Sequence, residues 1–359
     1  MLPFHDIEGA IWLCDFLVMF SVAAAVFAAG EGDREFVRKR DGERPEPVVA
    51  VDNVCAWPNL TVLQDGTIIA TIHNQPSHLK LPADVDCWAS EDGGRTWTKR
   101  GTPAPRDNPR AARGNVAAGI ARNGDLIVIA SGWSDPAGEN RGTVLPPWVS
   151  RSADGGRTWD IDREAFSEIS VPFGDILEGA DGRLRVATYR GGPGEAKVYC
   201  SHDDGKTWVQ DAVLNKDTRI HEPALFHLGG GKWLGAARLD GLDLYASDDD
   251  ARTWTCRGKL TEPKQHPGHF ARLKDGSVLL SYGNRVDPKG VDVRFSNDDG
   301  ATWSRPFRVV DFPGDGGYPS SVQRPDGRVL TAYYASEIEG HKRYHMGVVV
   351  WDPATTRGR

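Results

Sequence analysis

The chain has 359 residues and carries 43 Lys and Arg against 50 Asp and Glu, a formal net charge of −7. The two signs are interspersed and no basic stripe forms, which argues against nucleic acid as a partner. An acidic chain does not steer an anion from a distance, so any anion site must be local. Twelve Trp and 41 Gly point to β-structure with many tight turns.

The first element in chain order is an apolar stretch, Phe16 to Ala29, followed by a charged segment. This pattern reads as the core of an export signal with a small-residue exit, so residues 1–30 are expected to be a leader. The flank before it carries acids and no Lys or Arg, and Met19 is an alternative start. The run is too short and interrupted for a membrane span, so no span is expected in the mature protein. Residues 31–44 read as a polar linker, and residues 45–359 as one domain. Five Cys (Cys14, Cys55, Cys87, Cys200 and Cys256) lack CxxC or metal-ligand spacing and are expected to be isolated buried thiols.

From Ser90 onward the pattern Ser-x-Asp-x-Gly-x-Thr-Trp recurs five times, starting at Ser90, Ser152, Ser201, Ser247 and Ser296. The fourth copy has Ala251 in place of Gly. A period near 50 residues matches one four-stranded propeller blade. The repeated Asp suits a turn whose backbone N–H groups it can bind, Gly permits positive φ, and Trp offers an apolar face for packing. Because these aspartates repeat, they are assigned to the fold and not to chemistry.

Between these motifs lies a second repeat, an apolar strand, a Gly turn and another apolar strand. Six copies align on Gly66, Gly124, Gly182, Gly231, Gly276 and Gly327, and predict the two inner strands of six blades. The last copy lacks the Asp motif. Its third strand is predicted at His345 to Asp352, and its outer strand at Pro45 to Val51, which closes the ring and covers its edges. The fold expected is an all-β, six-bladed β-propeller.

In such a blade the start of the first strand and the end of the second share one face. Nine residues before each Gly stand Trp57, Asn115, Phe173, Glu222, Pro267 and Tyr318. One residue earlier stand Ala56, Gly114, Pro172, His221, His266 and Gly317, and seven after each Gly stand His73, Ser131, Tyr189, Arg238, Gly283 and Tyr334. Positions serving only the fold should look alike. These differ and are rich in Glu, His, Arg and Tyr, as one pocket assembled from six repeats would be.

On these motifs the chain resembles the BNR-repeat members of the sialidase (neuraminidase) superfamily, over roughly Ala56 to Asp352. The resemblance implies that Tyr318, in GGYPSS, is a nucleophile and that Glu222, in HEPALF, polarises it. It implies that Arg238 and a second cation bind the substrate's carboxylate. Arg285 is the choice for that cation, while spacing back from the last Asp motif selects Lys289. Such a set is chemically coherent, since a Tyr hydroxyl with a pKa near 10 needs an adjacent base. Arginines bind a planar carboxylate bidentately.

The sequence also departs from the family. Ala56 stands where the first carboxylate-binding arginine is expected, and Tyr334 stands where the Glu supporting it is expected. In the loop that should carry the acid/base Asp, His78 lies closer to that position than Asp84 or Asp86. The candidate catalytic residues are therefore Tyr318, Glu222 and His78. The candidate substrate-binding residues are Arg238, Arg285, His73, His221, Trp57, Asn115 and Tyr334. No spacing such as HxH or HExxH points to a metal, and no cofactor is expected. The function this implies is a retaining exo-glycosidase acting on a terminal, acidic sugar. Two alternatives stay open, another carbohydrate-active propeller (a hydrolase of a different sugar, or a polysaccharide lyase using His and Tyr) and a non-catalytic glycan-binding propeller.

Overall fold

A computed structural model describes residues 46–135, 137, 142–189, 195–215 and 220–356. The leader, the linker, Pro45 and Cys14 lie outside the described residues. Among those described, twenty-four strands, β1 to β24 in chain order, are joined by turns and followed by one short 3-10 helix at Pro353–Thr355. No helix among the described residues is long and apolar enough to cross a membrane.

After β1 (Val48–Asp52) the strands run as antiparallel meanders. The first holds β2 to β5 (Asn59–Val62, Ile68–His73, Val85–Ser90, Thr98–Ala104). The second holds β6 to β9 (Ala112–Ile120, Leu126–Trp133, Val144–Ser152, Asp160–Asp162) and the third β10 to β13 (Val171–Glu178, Leu184–Tyr189, Ala196–Ser201, Val209–Asn215). A parallel pairing of β6 with β10 joins these two into one eight-stranded sheet. Then come β14 to β17 (His221–Gly229, Lys232–Arg238, Leu242–Ser247, Thr255–Lys259) and β18 to β21 (Gln265–Arg272, Val278–Asn284, Gly290–Ser296, Phe307–Asp311). The last sheet holds β22 (Gly316–Gln323), β23 (Val329–Ala335), β24 (His345–Trp351) and β1, which pairs antiparallel with β24. The N-terminal strand thus covers the outer edge of the last sheet, the one whose repeat lacks the Asp motif, as expected from the sequence.

The inner strands are nearly continuous runs of buried Val, Ile, Leu and Ala, because each faces a neighbouring sheet on both sides. Six larger apolar clusters form, each shared by successive meanders, and one of them joins the last meander to the first through Leu60, Ile68, Leu330 and Val348. The architecture is all-β and propeller-like. Each fully buried Leu, Ile or Val contributes about 1.5–3 kcal/mol relative to exposure, so these clusters are the main source of cohesion.

The repeated motif folds as its chemistry suggested. In the first copy Ser90 Oγ donates to Asp92 Oδ1 at 2.8 Å and accepts from the Gly94 N–H at 2.7 Å. Asp92 Oδ1 also takes the N–H groups of Arg95 and Thr96, and its Oδ2 takes the Thr96 hydroxyl. The same arrangement recurs at Asp154, Asp203, Asp249 and Asp298. The motif glycines need positive φ, as at Gly205 with φ 84°, where a Cβ would also come within 2.3 Å of Ile127 Cδ1. The motif Trp side chains pack onto the clusters between meanders, and Trp208 is fully buried. Of the cysteines, Cys55, Cys87 and Cys200 are buried and free as expected. Cys256 is exposed instead, because it lies on the outer strand β17, every residue of which faces solvent.

Candidate active site

The inner strands bring their first residues to one end of the ring. His221 pairs with Arg238, Gly317 with Tyr334, Val171 with Tyr189 and Asn115 with Ser131. Just past this point the ladders of β14, β18 and β22 are interrupted by bulges. At the same repeat position, Trp57, Glu222 and Tyr318 adopt φ of 43°, 45° and 50°. For side-chain-bearing residues this left-handed geometry costs about 1–2 kcal/mol each. At Glu222 and Tyr318 the bulge re-aims the side chains off the strand alternation and brings them against one another, as bulges beside active sites do.

The Tyr318 hydroxyl donates to Glu222 Oε1. Arg238 Nη1 donates to Glu222 Oε2 at 2.8 Å and to the Tyr318 hydroxyl at 3.3 Å. Glu222 is buried, while Arg238 stays about one third exposed, with 31% of its side chain open. Burial raises the Tyr318 phenol well above its usual pKa and the Glu222 charge adds to this, so the resting hydroxyl is neutral. Burial disfavours the Arg238 charge, but Glu222 and then Tyr318 more than offset it and the guanidinium is held firmly cationic.

Arg285 lies over the Tyr318 ring, its Cζ 5.7 Å from the centroid. It donates to the backbone oxygen of His266 and to His266 Nδ1. Burial, and then the charges of Arg238 and Arg285, push His266 down to about 3, so it is a neutral acceptor. Lys289, the alternative from spacing, reaches instead toward Pro313 O at 3.5 Å on the rim.

Trp57 stacks on Tyr318 with centroids 5.5 Å apart and on His73 at 5.3 Å, and meets His78 edge-on at 5.4 Å. His73 itself is fully buried, with Nδ1 and Nε2 against the backbone oxygens of Arg113 and Ser77. It supports Trp57 from below and is not presented to the opening. Asn115 reaches the Tyr189 hydroxyl at 3.4 Å, and Tyr189 packs edge-on to His221 at 5.4 Å. Ala56 and Tyr334 are both fully buried, in the apolar cluster joining the first and last meanders. Asp84 and Asp86 are engaged elsewhere, with Arg106 and with Lys99.

His78 Nε2 lies 2.5 Å from Asp315 Oδ2. Sequence reasoning passed over Asp315, Tyr344 and the partner role of His266. Asp315 lies only three residues before Tyr318 in the same loop-to-strand segment, which was the signal available. A small, partly open pocket of about 40 Å³ beside Tyr318 is lined by Trp57, Asn59, Asn115, Phe173 and His269 among others. Among the described residues no cluster of His, Cys, Asp and Glu could hold a metal ion.

The sequence profile of the BNR repeat-like domain matches residues 58–330. A sialidase from Bacteroides fragilis (strain YCH46) is 22% identical over 336 residues, covering 80% of this chain and 61% of that protein. This chain therefore spans less than two thirds of that relative's length. A protein of unknown function from Dyadobacter fermentans DSM 18053 superposes with a TM-score of 0.71 at 23% identity, covering 86% of this chain and 98% of that one. The NanB sialidase from Streptococcus pneumoniae does so with a TM-score of 0.68 at 13% identity, covering 88% of this chain and 72% of that one. At these identities the structural likeness is one of fold. The profile match extends over well more than half of the sequence, and the chain belongs to the BNR repeat-like domain family of the sialidase superfamily.

Proposed function

We propose that this chain is a retaining exo-glycoside hydrolase acting on a terminal, acidic sugar, built as one six-bladed propeller over residues 45–359 with its five Asp boxes as structural turns. Tyr318 attacks the anomeric carbon, and Glu222 takes its proton. Arg238, at the Tyr318 hydroxyl, and Arg285, over its ring, hold the sugar's anionic group. His78 serves the leaving group. Trp57, Asn115 and His221 shape the walls, and Tyr334 supports them from the buried side. Export through the leader is part of the same reading, since its substrate is a glycan.

The observation that carries this reading is the bond from the Tyr318 hydroxyl to Glu222, with Arg238 bridging both. A phenol held neutral by burial becomes a nucleophile only if a base removes its proton as it attacks, and Glu222 is in place to do so. A neutral oxygen also avoids the repulsion that a carboxylate nucleophile would meet from an anionic sugar. A second reading, a lyase, is favoured by the grouping of His78 with Tyr334 and Tyr344 at 5.4 and 5.8 Å.

The test is a panel of chromogenic aryl glycosides, sialosides included, with the product anomer followed by NMR. Hydrolysis with retained configuration supports the proposal. An unsaturated product assigns the lyase reading. Glycan binding without turnover, unchanged in a Tyr318→Phe/Glu222→Gln double variant, leaves a binding propeller only.

A further inference from the structure

Asp315 precedes β22 and gathers three side chains onto one carboxylate. Its Oδ2 faces His78 Nε2 at 2.5 Å and accepts from the Tyr344 hydroxyl at 3.0 Å. The Tyr334 hydroxyl lies 3.3 Å from Oδ1 and 3.2 Å from Oδ2. The backbone ties the segment down, with Asp315 N–H donating to Ser336 Oγ at 3.1 Å and Ser336 N–H donating to Asp315 O at 2.9 Å. Burial raises the Asp315 carboxyl, but the bond and charge of His78, then Tyr344 and Tyr334, outweigh it and leave it below 3.8.

A carboxylate only accepts, so the imidazole nitrogen facing it carries a proton. That fixes Nε2–H on His78 and leaves Nδ1 as the atom that exchanges protons with a ligand. Nδ1 makes no hydrogen bond among the described residues, and the His78 side chain is 34% exposed. The ring is also fixed by packing, edge-on to Trp57 at 5.4 Å and to Tyr334 at 5.4 Å. Tyr318 borders the same two rings, at 5.5 and 5.8 Å. Nucleophile and imidazole are therefore bordered by the same two rings, Trp57 and Tyr334.

We propose that Asp315 is the positioning residue of a His78–Asp315 acid/base pair that serves the Tyr318 reaction; this rests on the glycosidase reading above. In the first step the Tyr318 oxygen bonds to the anomeric carbon and its proton passes to Glu222. The bond to the aglycone breaks, and the aglycone oxygen keeps the electron pair and takes the Nδ1 proton of the His78 imidazolium. In the second step a water oxygen bonds to the anomeric carbon and returns a proton to Nδ1. The bond to Tyr318 breaks, and the phenolic oxygen regains its proton from Glu222. Asp315 stays a carboxylate throughout. It holds the ring in one tautomer and orientation and offsets the imidazolium charge.

The experiment uses two glycosides of the sugar that the aryl panel identifies, one with a 2,4-dinitrophenyl aglycone and one with a methyl aglycone. A dinitrophenolate departs without a proton, whereas a methoxide needs one. Asp315→Asn is expected to lose at least about 100-fold in kcat/KM on the methyl glycoside and less than about 10-fold on the dinitrophenyl one. Asp315→Glu is expected to recover part of the loss. His78→Gln is expected to show the same split, and it serves as the second variant should Asp315→Asn not fold. In the unliganded protein, at alkaline pH where the ring is neutral, ¹⁵N spectra of labelled histidine are expected to show His78 as the Nε2–H tautomer, and a mixture in Asp315→Ala; the imidazolium that serves the first step is this ring with Nδ1 protonated as well. Equal losses on both glycosides, wild-type rates on both, or an Nδ1–H tautomer in the wild type overturns the proposal. Full activity of Tyr318→Phe instead overturns Tyr318 as the nucleophile, and no hydrolysis anywhere in the panel overturns the glycosidase reading itself, so these failures are distinguishable from that of the His78–Asp315 pair.

Discussion

Tyr318 and Glu222 come from sheets 96 positions apart in sequence, yet the Tyr318 hydroxyl donates directly to Glu222 Oε1. Both sit at the same position of their repeats, and both adopt left-handed backbone geometry there. The local cost is accepted at two equivalent bulges whose effect is to turn these side chains toward one another. Arg238, which pairs with His221 across the first hairpin of the fourth meander, closes the triangle.

Because the three residues act as a unit, their losses are expected to be non-additive. Tyr318→Phe removes the nucleophile, and Glu222→Gln removes the base while keeping shape. Each is expected to lower kcat by about 10²–10⁴-fold. The double variant is expected to be little worse than Tyr318→Phe alone. Arg238→Lys keeps the charge and loses the planar fork, and is expected to raise KM more than it lowers thermal stability. Steady-state kinetics alongside thermal melts of the four proteins check this. Additive losses would separate the residues functionally.

The repeated aspartates are expected to matter for folding and not for chemistry. Asp203→Ala removes bonds to the Lys206 and Thr207 N–H groups and the Thr207 hydroxyl, and is expected to cost about 1–2 kcal/mol with turnover per folded molecule near normal. Burial alone would raise these carboxyls, but the Thr and Ser hydroxyls and the turn N–H groups lower Asp203 and Asp249 to about 2 from 3.8. A folded-state value below the unfolded one means stability that is present above about pH 4 and is lost as pH falls through about 2. Denaturant titrations between pH 5 and 2, with an Asp203→Ala comparison whose loss shrinks toward the acid end, check the sign.

The repeats were legible in the sequence because Gly, Asp and Trp each have one local job that recurs wherever the turn recurs. The same alignment placed Tyr318, Glu222 and Arg238 at one end of the ring, since equivalent positions share a face. The alignment could not tell which of those positions point toward solvent. His73 and Tyr334 hold pocket-end positions, yet both are fully buried and support Trp57 and Asp315. Nor could it find Asp315, which lies in a connecting loop outside the hairpin register and meets His78 across 237 residues. Left-handed φ at Trp57, Glu222 and Tyr318 carries no sequence signature, because none of them is Gly or Asn.

The corner at Ala56 makes an expectation about specificity. Ala56 and Tyr334 are closed off from solvent, and the carboxylate that meets Tyr334, Asp315, is bound by the Tyr334 and Tyr344 hydroxyls. With Ala56 where a third arginine would stand beside Arg238 and Arg285, ordinary sialosides are expected to be turned over weakly or not at all compared with the preferred glycoside. Rates on an aryl sialoside against the rest of the panel check this. Efficient release of sialic acid would show that two arginines suffice for its carboxylate.

The most direct measurement is trapping of the covalent intermediate. A fluorinated, slow-turnover glycoside of the preferred sugar is incubated with the protein, and the adduct is located by peptide mass spectrometry. The glycosyl group is expected on Tyr318, with none formed in Tyr318→Phe. Continued turnover with the adduct on another residue, or with inverted product and no adduct, would contradict the assignment of Tyr318 as nucleophile.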